Sequence, residues 1–136
     1  MTDAFADSFY FLALSNPQDE AHEQALRESQ DKSRRIVTTA WVLTEVGDAL
    51  SSPPNRRRFV ELLDILWDDP QAVIIPPTIG WFQAGVSLYR ARADKEWSLT
   101  DCISFAVMRH RKLTNALTGD RHFEQAGFKV LLKPRR

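Results

Sequence analysis

Four acidic residues stand where a carboxylate could do chemistry: Asp7, Glu45, Asp101 and Asp120. Asp7 ends the apolar stretch Ala4-Phe5-Ala6, and Asp120 follows Asn115-Ala-Leu-Thr-Gly119, where the chain turns towards its next helix. Asp101 closes Ser98-Leu-Thr-Asp, and Glu45 lies at the edge of an apolar stripe formed by Val42, Leu43, Val46, Ala49 and Leu50. Brought together, such side chains raise one another's pKa and cost stability. A divalent cation removes that difficulty. An all-oxygen set without His or Cys at matching spacing suits the hard ions Mg2+ or Mn2+, which keep several waters and take phosphate oxygens as further ligands. The expected chemistry is metal-assisted attack of water on a phosphodiester.

Each acid also has an ordinary structural reading. Asp120 has the type and place of an N-cap for a helix over 121–126, and Ser98 with Asp101 has the spacing of a capping box. Neither role excludes a second one. No cap explains Glu45, although it can snorkel to water, and Asp48 points further outward and reads as solvated. His122 lies near the mouth of the proposed site, where it could touch a phosphate; a metal makes an imidazole base unnecessary, so the preferred reading is a surface helix residue.

The elements that must position these groups alternate along the chain. Strands are expected at Ala4–Ala6, Ile36–Thr38, Val73–Ile75, Asn115–Thr118 and Lys129–Leu132. Between them fall helical patterns over Phe9–Leu14, Asp19–Arg34 (Ala21, Ala25 and Leu26 inward), Trp41–Leu50 capped by Thr39, Arg56–Trp67, Thr78 to about Ala93, and Ser98 to about Arg111. Short strands separated by helices imply a parallel sheet between helical layers, a three-layer α/β/α sandwich. In the common order 3-2-1-4-5 the first and fourth strands are neighbours at the switch point, and Asp7 and Asp120 then share one crevice.

The bulk composition narrows the class. At 136 residues the chain, 1–136, is expected to form a single domain, and 43% apolar with 26% charged residues fits an ordinary folded protein. The single cysteine, Cys102, among Leu99, Ile103 and Ala106, reads as a buried small hydrophobe, and the absence of paired Cys/His spacing excludes the usual structural zinc site. No apolar run approaches a membrane span and no basic signal start is present, so a cytoplasmic protein with no membrane partner is expected. Lys plus Arg equals Asp plus Glu, 18 each, so nucleic acid would have to be attracted locally. Candidate basic surfaces are Arg56-Arg57-Arg58, Arg90 with Arg92, and Arg109 with Arg111-Lys112, each also readable as a solvated helix face. Trp41, Trp67, Trp81 and Phe82 offer an interface, with buried core as the default for most of them.

The blocks FADSFYFLALSNPQDEAHEQA, TTAWVLTEVGDAL and WSLTDCISFAVMRHRKLTNALTGDRHFEQAGFKVL, in their order and spacing, resemble the PIN domain family, in particular the VapC-like ribonucleases of toxin–antitoxin pairs. The resemblance covers nearly the whole chain. It implies a PIN-like fold, a Mg2+ or Mn2+ site formed by Asp7, Glu45, Asp101 and Asp120, and cleavage of RNA. Glu45 would be a ligand or orient the attacking water. Thr118 matches a frequent hydroxyl position that holds the last acid or the substrate, and Ser8 is similar; a strand threonine and a helix start are the plain alternatives. The resemblance further implies a homodimer and an antitoxin partner. Two rival classes share parts of this pattern. A catalytically silent PIN-like module that binds RNA or protein is expected to lack some of the acids. A phosphoacceptor receiver domain would use a pair such as Lys133-Pro134, but it needs an acid after the third strand, where Val73-Ile74-Ile75 runs into Pro76-Pro77.

Overall fold

Five short apolar runs pair into one parallel sheet of order β3-β2-β1-β4-β5. The strands are β1 (Ala4–Ala6), β2 (Ile36–Thr39), β3 (Ala72–Ile75), β4 (Asn115–Leu117) and β5 (Lys129–Val130). This is a computed structural model, and it describes residues 3–132; Lys133-Pro134 lies outside them. Seven helices connect and cover the sheet: α1 (Ser8–Ser15), α2 (His22–Ser29), α3 (Ala40–Ala49), α4 (Arg56–Asp68), α5 (Ile79–Ala91), α6 (Leu99–His110) and α7 (Arg121–Gln125). No helix among the described residues is long and apolar enough to cross a membrane.

The register carries the expected switch point. Ala4 to Ala6 of β1 pair with Asn115 to Leu117 on one side, while Ala4 and Phe5 pair with Ile36 and Val37 on the other. β1 is therefore central, and every residue of it is buried. A continuous core surrounds it, with Phe5, Tyr10, Phe11, Phe105 and Phe123 among the largest fully buried side chains. Phe105 stacks edge-on against both Phe123 and Trp97, at centroid distances of 4.9 and 5.0 Å, which ties α6 to α7 and to the loop before α6.

Three expectations are corrected. The helical pattern over Asp19–Arg34 yields only His22–Ser29, because aspartate side chains take the flanking backbone into turns. Asp19 Oδ1 accepts from the amide of Ala21 and Asp31 Oδ1 from that of Ser33. On the shortened helix Ala25 is buried but Leu26 is exposed. Of the four aromatics offered as an interface, with burial the default for most, none is fully buried: Trp67 and Phe82 are exposed, and Trp41 and Trp81 are half-buried. In α4 the inward stripe is taken by Phe59, Leu62, Leu63 and Leu66, which leaves Trp67 on the flank. Finally, β5 ends at Val130 rather than Leu132, although the amides of Leu131 and Leu132 still donate to Ala116 and Thr118.

Candidate active site

Parallel strands bring their carboxyl ends to one edge, and the acids that follow β1 and β4 meet there. Asp7 occupies the N-cap position of α1, yet its side chain makes no capping bond. Instead Oδ2 accepts a hydrogen bond of 3.1 Å from Thr118 Oγ1, and Asp7 is only 4% exposed. The same hydroxyl oxygen accepts from the amide of Asp120 at 3.1 Å. Thr118, fully buried, thus fastens the chain after β1 to the chain after β4. That position suits holding carboxylates and leaves no surface for a substrate to touch.

Asp120 caps α7 as expected, with Oδ1 accepting from the His122 amide at 2.9 Å, and remains half-buried at the cleft. Asp101 forms the expected capping box: its amide donates to Ser98 Oγ at 3.0 Å, and its Oδ2 accepts from the Ser98 amide at 3.3 Å. Glu45, on α3, is half-buried, with the Ser8 and Thr100 hydroxyls near enough to its carboxylate to favour the ionised form. All four acids line one cleft of about 410 Å³, together with Ser8, Leu12, Ala49, Glu96, Ser98 and His122. Ala49, expected on the apolar stripe of α3, is exposed and faces this cleft one turn beyond Glu45.

Two residues of the cleft depart from the sequence reading, His122, expected on the surface of its helix, and Glu96, which was not singled out. His122 is turned into the site: Nδ1 lies 3.2 Å from Asp101 Oδ2 and 3.6 Å from Asp120 Oδ1. Its signal was its place two residues after the cap, in the first turn of a short helix whose N-terminus points into the crevice. Glu96 adds a further acid two residues before the Ser98 cap. Among the described residues, Asp101, Asp120 and His122 make the tightest group, with one potential ligand atom from each lying within 4.8 Å of the others. Asp7 and Glu45 line the wall around this trio.

The electrostatics are those of a site short of positive charge. Asp7 is pushed up from 3.8 to about 7, first by burial and next by the charge of Asp101, against the hydrogen bonds from the Ser8 amide and Thr118. Burial also raises Asp101, with the charge of Asp120 as the second cause. Glu45 is raised by burial and then by Asp101 and Asp120, while the Ser8 and Thr100 hydroxyls oppose the shift. Among the described residues no lysine or arginine lines the cleft, and His122 is the one cationisable side chain there. This donor set fits a hard divalent cation, which would relieve the mutual repulsion of these oxygens.

Comparison with known proteins fixes the lineage. Residues 4–129 match the PIN domain family. The chain belongs to that family. One PIN-domain relative, the 23S rRNA-specific endonuclease VapC20 of Mycobacterium tuberculosis, is 32% identical over 124 residues, covering 91% of this chain and 94% of the relative. The crystal structure of VapC20, described as a Sarcin-Ricin loop cleaving toxin, superposes with a TM-score of 0.83 at 28% identity over 92% of this chain and 95% of that one. VapBC2 from Rickettsia felis, solved bound to a DNA fragment from their promoter, gives a TM-score of 0.68 at 14% identity over 95% and 97% of the two chains. At that identity the likeness concerns the fold. The five-stranded PIN sheet of order 3-2-1-4-5 and its helical layers are common ground between the sequence reading and the structure.

Proposed function

We propose that this PIN-domain chain is a metal-dependent endoribonuclease, the toxin of a toxin–antitoxin pair. The observation that carries the reading is the convergence of Asp7, Glu45, Asp101 and Asp120 in one cleft that, among the described residues, no lysine or arginine lines. Asp101, Asp120 and His122 would hold Mg2+ or Mn2+, with Asp7 behind them fixed by Thr118. A bound ion would make water a better nucleophile at neutral pH and offset the charge that develops on the phosphate oxygens. Glu45, which lines the same cleft near the Ser8 and Thr100 hydroxyls, would orient the attacking water and accept its proton. Ser8 lines the cleft and would touch substrate, whereas buried Thr118 would position the acids.

The relative at 32% identity is a 23S rRNA-specific endonuclease, which makes ribosomal RNA the first substrate to try. An antitoxin and a second copy of the chain are the partners of this reading. Exposed apolar side chains support both: Val60, Ile65 and Trp67 on α4, and Ile79 and Phe82 on α5. A silent binding module would have no use for four mutually repelling acids, which disfavours that alternative.

The test is digestion of ribosomal RNA with Mn2+ or Mg2+, with excess chelator, and with Asp120→Asn. The reading expects cleavage in the first case and loss of it in the other two. Cleavage that persists in chelator, or in Asp120→Asn, sinks it.

A further inference from the structure

A second cleft opens beside the carboxylate site. It encloses about 990 Å³ and is lined by the end of α5, the loop between α5 and α6, and the start of α6. Glu96 and Ser98 line both cavities, so the two share a wall.

Its chemistry is opposite to that of its neighbour. Among the described residues, Arg90, Arg92 and Lys95 line it, against Glu96 as the one acid. Arg92 is held rigidly: Nε and Nη2 donate to the two Asp94 oxygens at 3.0 Å each, and the guanidinium lies 5.2 Å from the centroid of the Trp97 ring. Asp94 balances that charge and reaches Lys95 Nζ only at 3.9 Å. Tyr89, 54% exposed, lines the same cleft.

An RNA strand carries a negative charge at each phosphate, and the acids of the catalytic cleft repel it. The chain as a whole, with 18 basic and 18 acidic residues, provides no attracting field, so attraction has to be local and adjacent to the site. Cations for the phosphates beside an exposed aromatic ring for a base make up the chemistry of single-strand binding. An acidic peptide would satisfy the cations but has no use for the ring or for the shared wall with a phosphodiester-cleaving site.

We propose that this cleft holds a single-stranded segment of RNA against the carboxylate site, with Arg90 and Lys95 on phosphates, Tyr89 stacked on a base, and the fixed Arg92 as the wall. The inference rests on the nuclease reading and adds where its substrate lies.

The test uses the full chain carrying Asp7→Asn, which keeps the probe intact, and a fluorescent single-stranded RNA of roughly 12 nucleotides. Anisotropy titrations across salt concentrations compare it with the same chain carrying Arg90→Gln and Lys95→Gln. The pair of changes should weaken binding about tenfold or more and reduce the slope of log affinity against log salt by about 1.4, two phosphates' worth on a single strand. Tyr89→Ala should lose about fivefold or more, and Tyr89→Phe should retain binding. Unchanged affinity and slope overturn the proposal, as does a loss confined to poly-glutamate offered in place of RNA. Digestion by the wild-type chain separates the two readings. Binding that depends on these residues without any metal-dependent cleavage overturns the nuclease and leaves the cleft standing; cleavage with indifferent cleft variants overturns the cleft alone.

Discussion

The hydroxyl of Thr118 donates to the carboxylate of Asp7 at 3.1 Å, joining two residues 111 positions apart at the carboxyl ends of neighbouring strands. Both are buried, and the same oxygen receives the Asp120 amide. Thr118→Val keeps the shape but leaves a buried carboxylate and a backbone amide without this partner. Bonds to charged groups are worth about 1.5–3 kcal/mol. Urea unfolding at pH 8 in chelator should show a loss of about 2 kcal/mol or more for Thr118→Val, and stabilisation by added Mn2+ should shrink with it. Thr118→Ser, which keeps the hydroxyl and loses one methyl, should cost about 1 kcal/mol. Equal losses for valine and serine would reduce Thr118 to a packing residue.

The raised pKa of Asp7 makes the stability of the metal-free protein depend on pH in a definite direction. Below about pH 4 the group is protonated in the folded and unfolded chains alike, and no penalty exists. As pH rises, the unfolded chain ionises first and the folded chain only near 7, so stability falls through that window and is lowest above it. The raised Glu45 and Asp101 act in the same direction. The displacement of Asp7 from 3.8 to about 7 corresponds to roughly 4 kcal/mol at about 1.4 kcal/mol per pH unit. Asp7→Asn should therefore gain stability relative to wild type between pH 4 and 8 in chelator, and lose that advantage when Mn2+ is added. A difference curve flat across that range means Asp7 ionises normally in the folded chain.

Much of this site was readable before any coordinates. Asp7 and Asp120 each terminate a short apolar run, and the rule that ligands gather at the carboxyl edge near the switch point brings such residues together whatever their separation in sequence. Glu45 was visible because a charge at the margin of an apolar stripe has few structural reasons to be there. What stayed hidden depends on side-chain direction within a turn. His122 follows the cap by two positions, and nothing in residue type distinguishes a first-turn side chain that folds back over the cap from one that points to water. Trp67 and Phe82 were hidden for a related reason: hydrophobicity indicates what can be buried, whereas the width of the inward stripe decides what is. Asp19 and Asp31 shortened α2 through local turns that compete with helical hydrogen bonds, a contest periodicity does not register.

Gly85 sets how closely α5 approaches α6. A Cβ at that position would lie 2.2 Å from Ile103 Cγ1 and 3.1 Å from the Ile103 backbone nitrogen and Cα. The backbone atoms cannot swing aside, and α6 carries Asp101, so the helices must part or shift. Gly85→Ala should lose about 2 kcal/mol or more, although alanine favours helix by roughly 1 kcal/mol in an unconstrained setting. Thermal unfolding with and without Mn2+ should show the loss in both conditions. A stabilised Gly85→Ala would mean that the α5 and α6 contact yields easily.

His122 gives the site a nitrogen among oxygens, and this should appear as metal preference. Nδ1 is 3.2 Å from Asp101 Oδ2 and 3.6 Å from Asp120 Oδ1, close enough for the three to share an ion. Imidazole suits the later first-row ions better than Mg2+, which is served by carboxylate and water, and Mn2+ lies nearer to that group. The wild-type chain should therefore be stabilised by lower concentrations of Mn2+ than of Mg2+. His122→Ala should raise the Mn2+ midpoint of the thermal shift by about tenfold or more, the scale on which removal of groups close to a metal acts, and raise the Mg2+ midpoint less. If both midpoints move equally, His122 serves to position Asp101 and Asp120; if neither moves, it lies outside the metal site altogether.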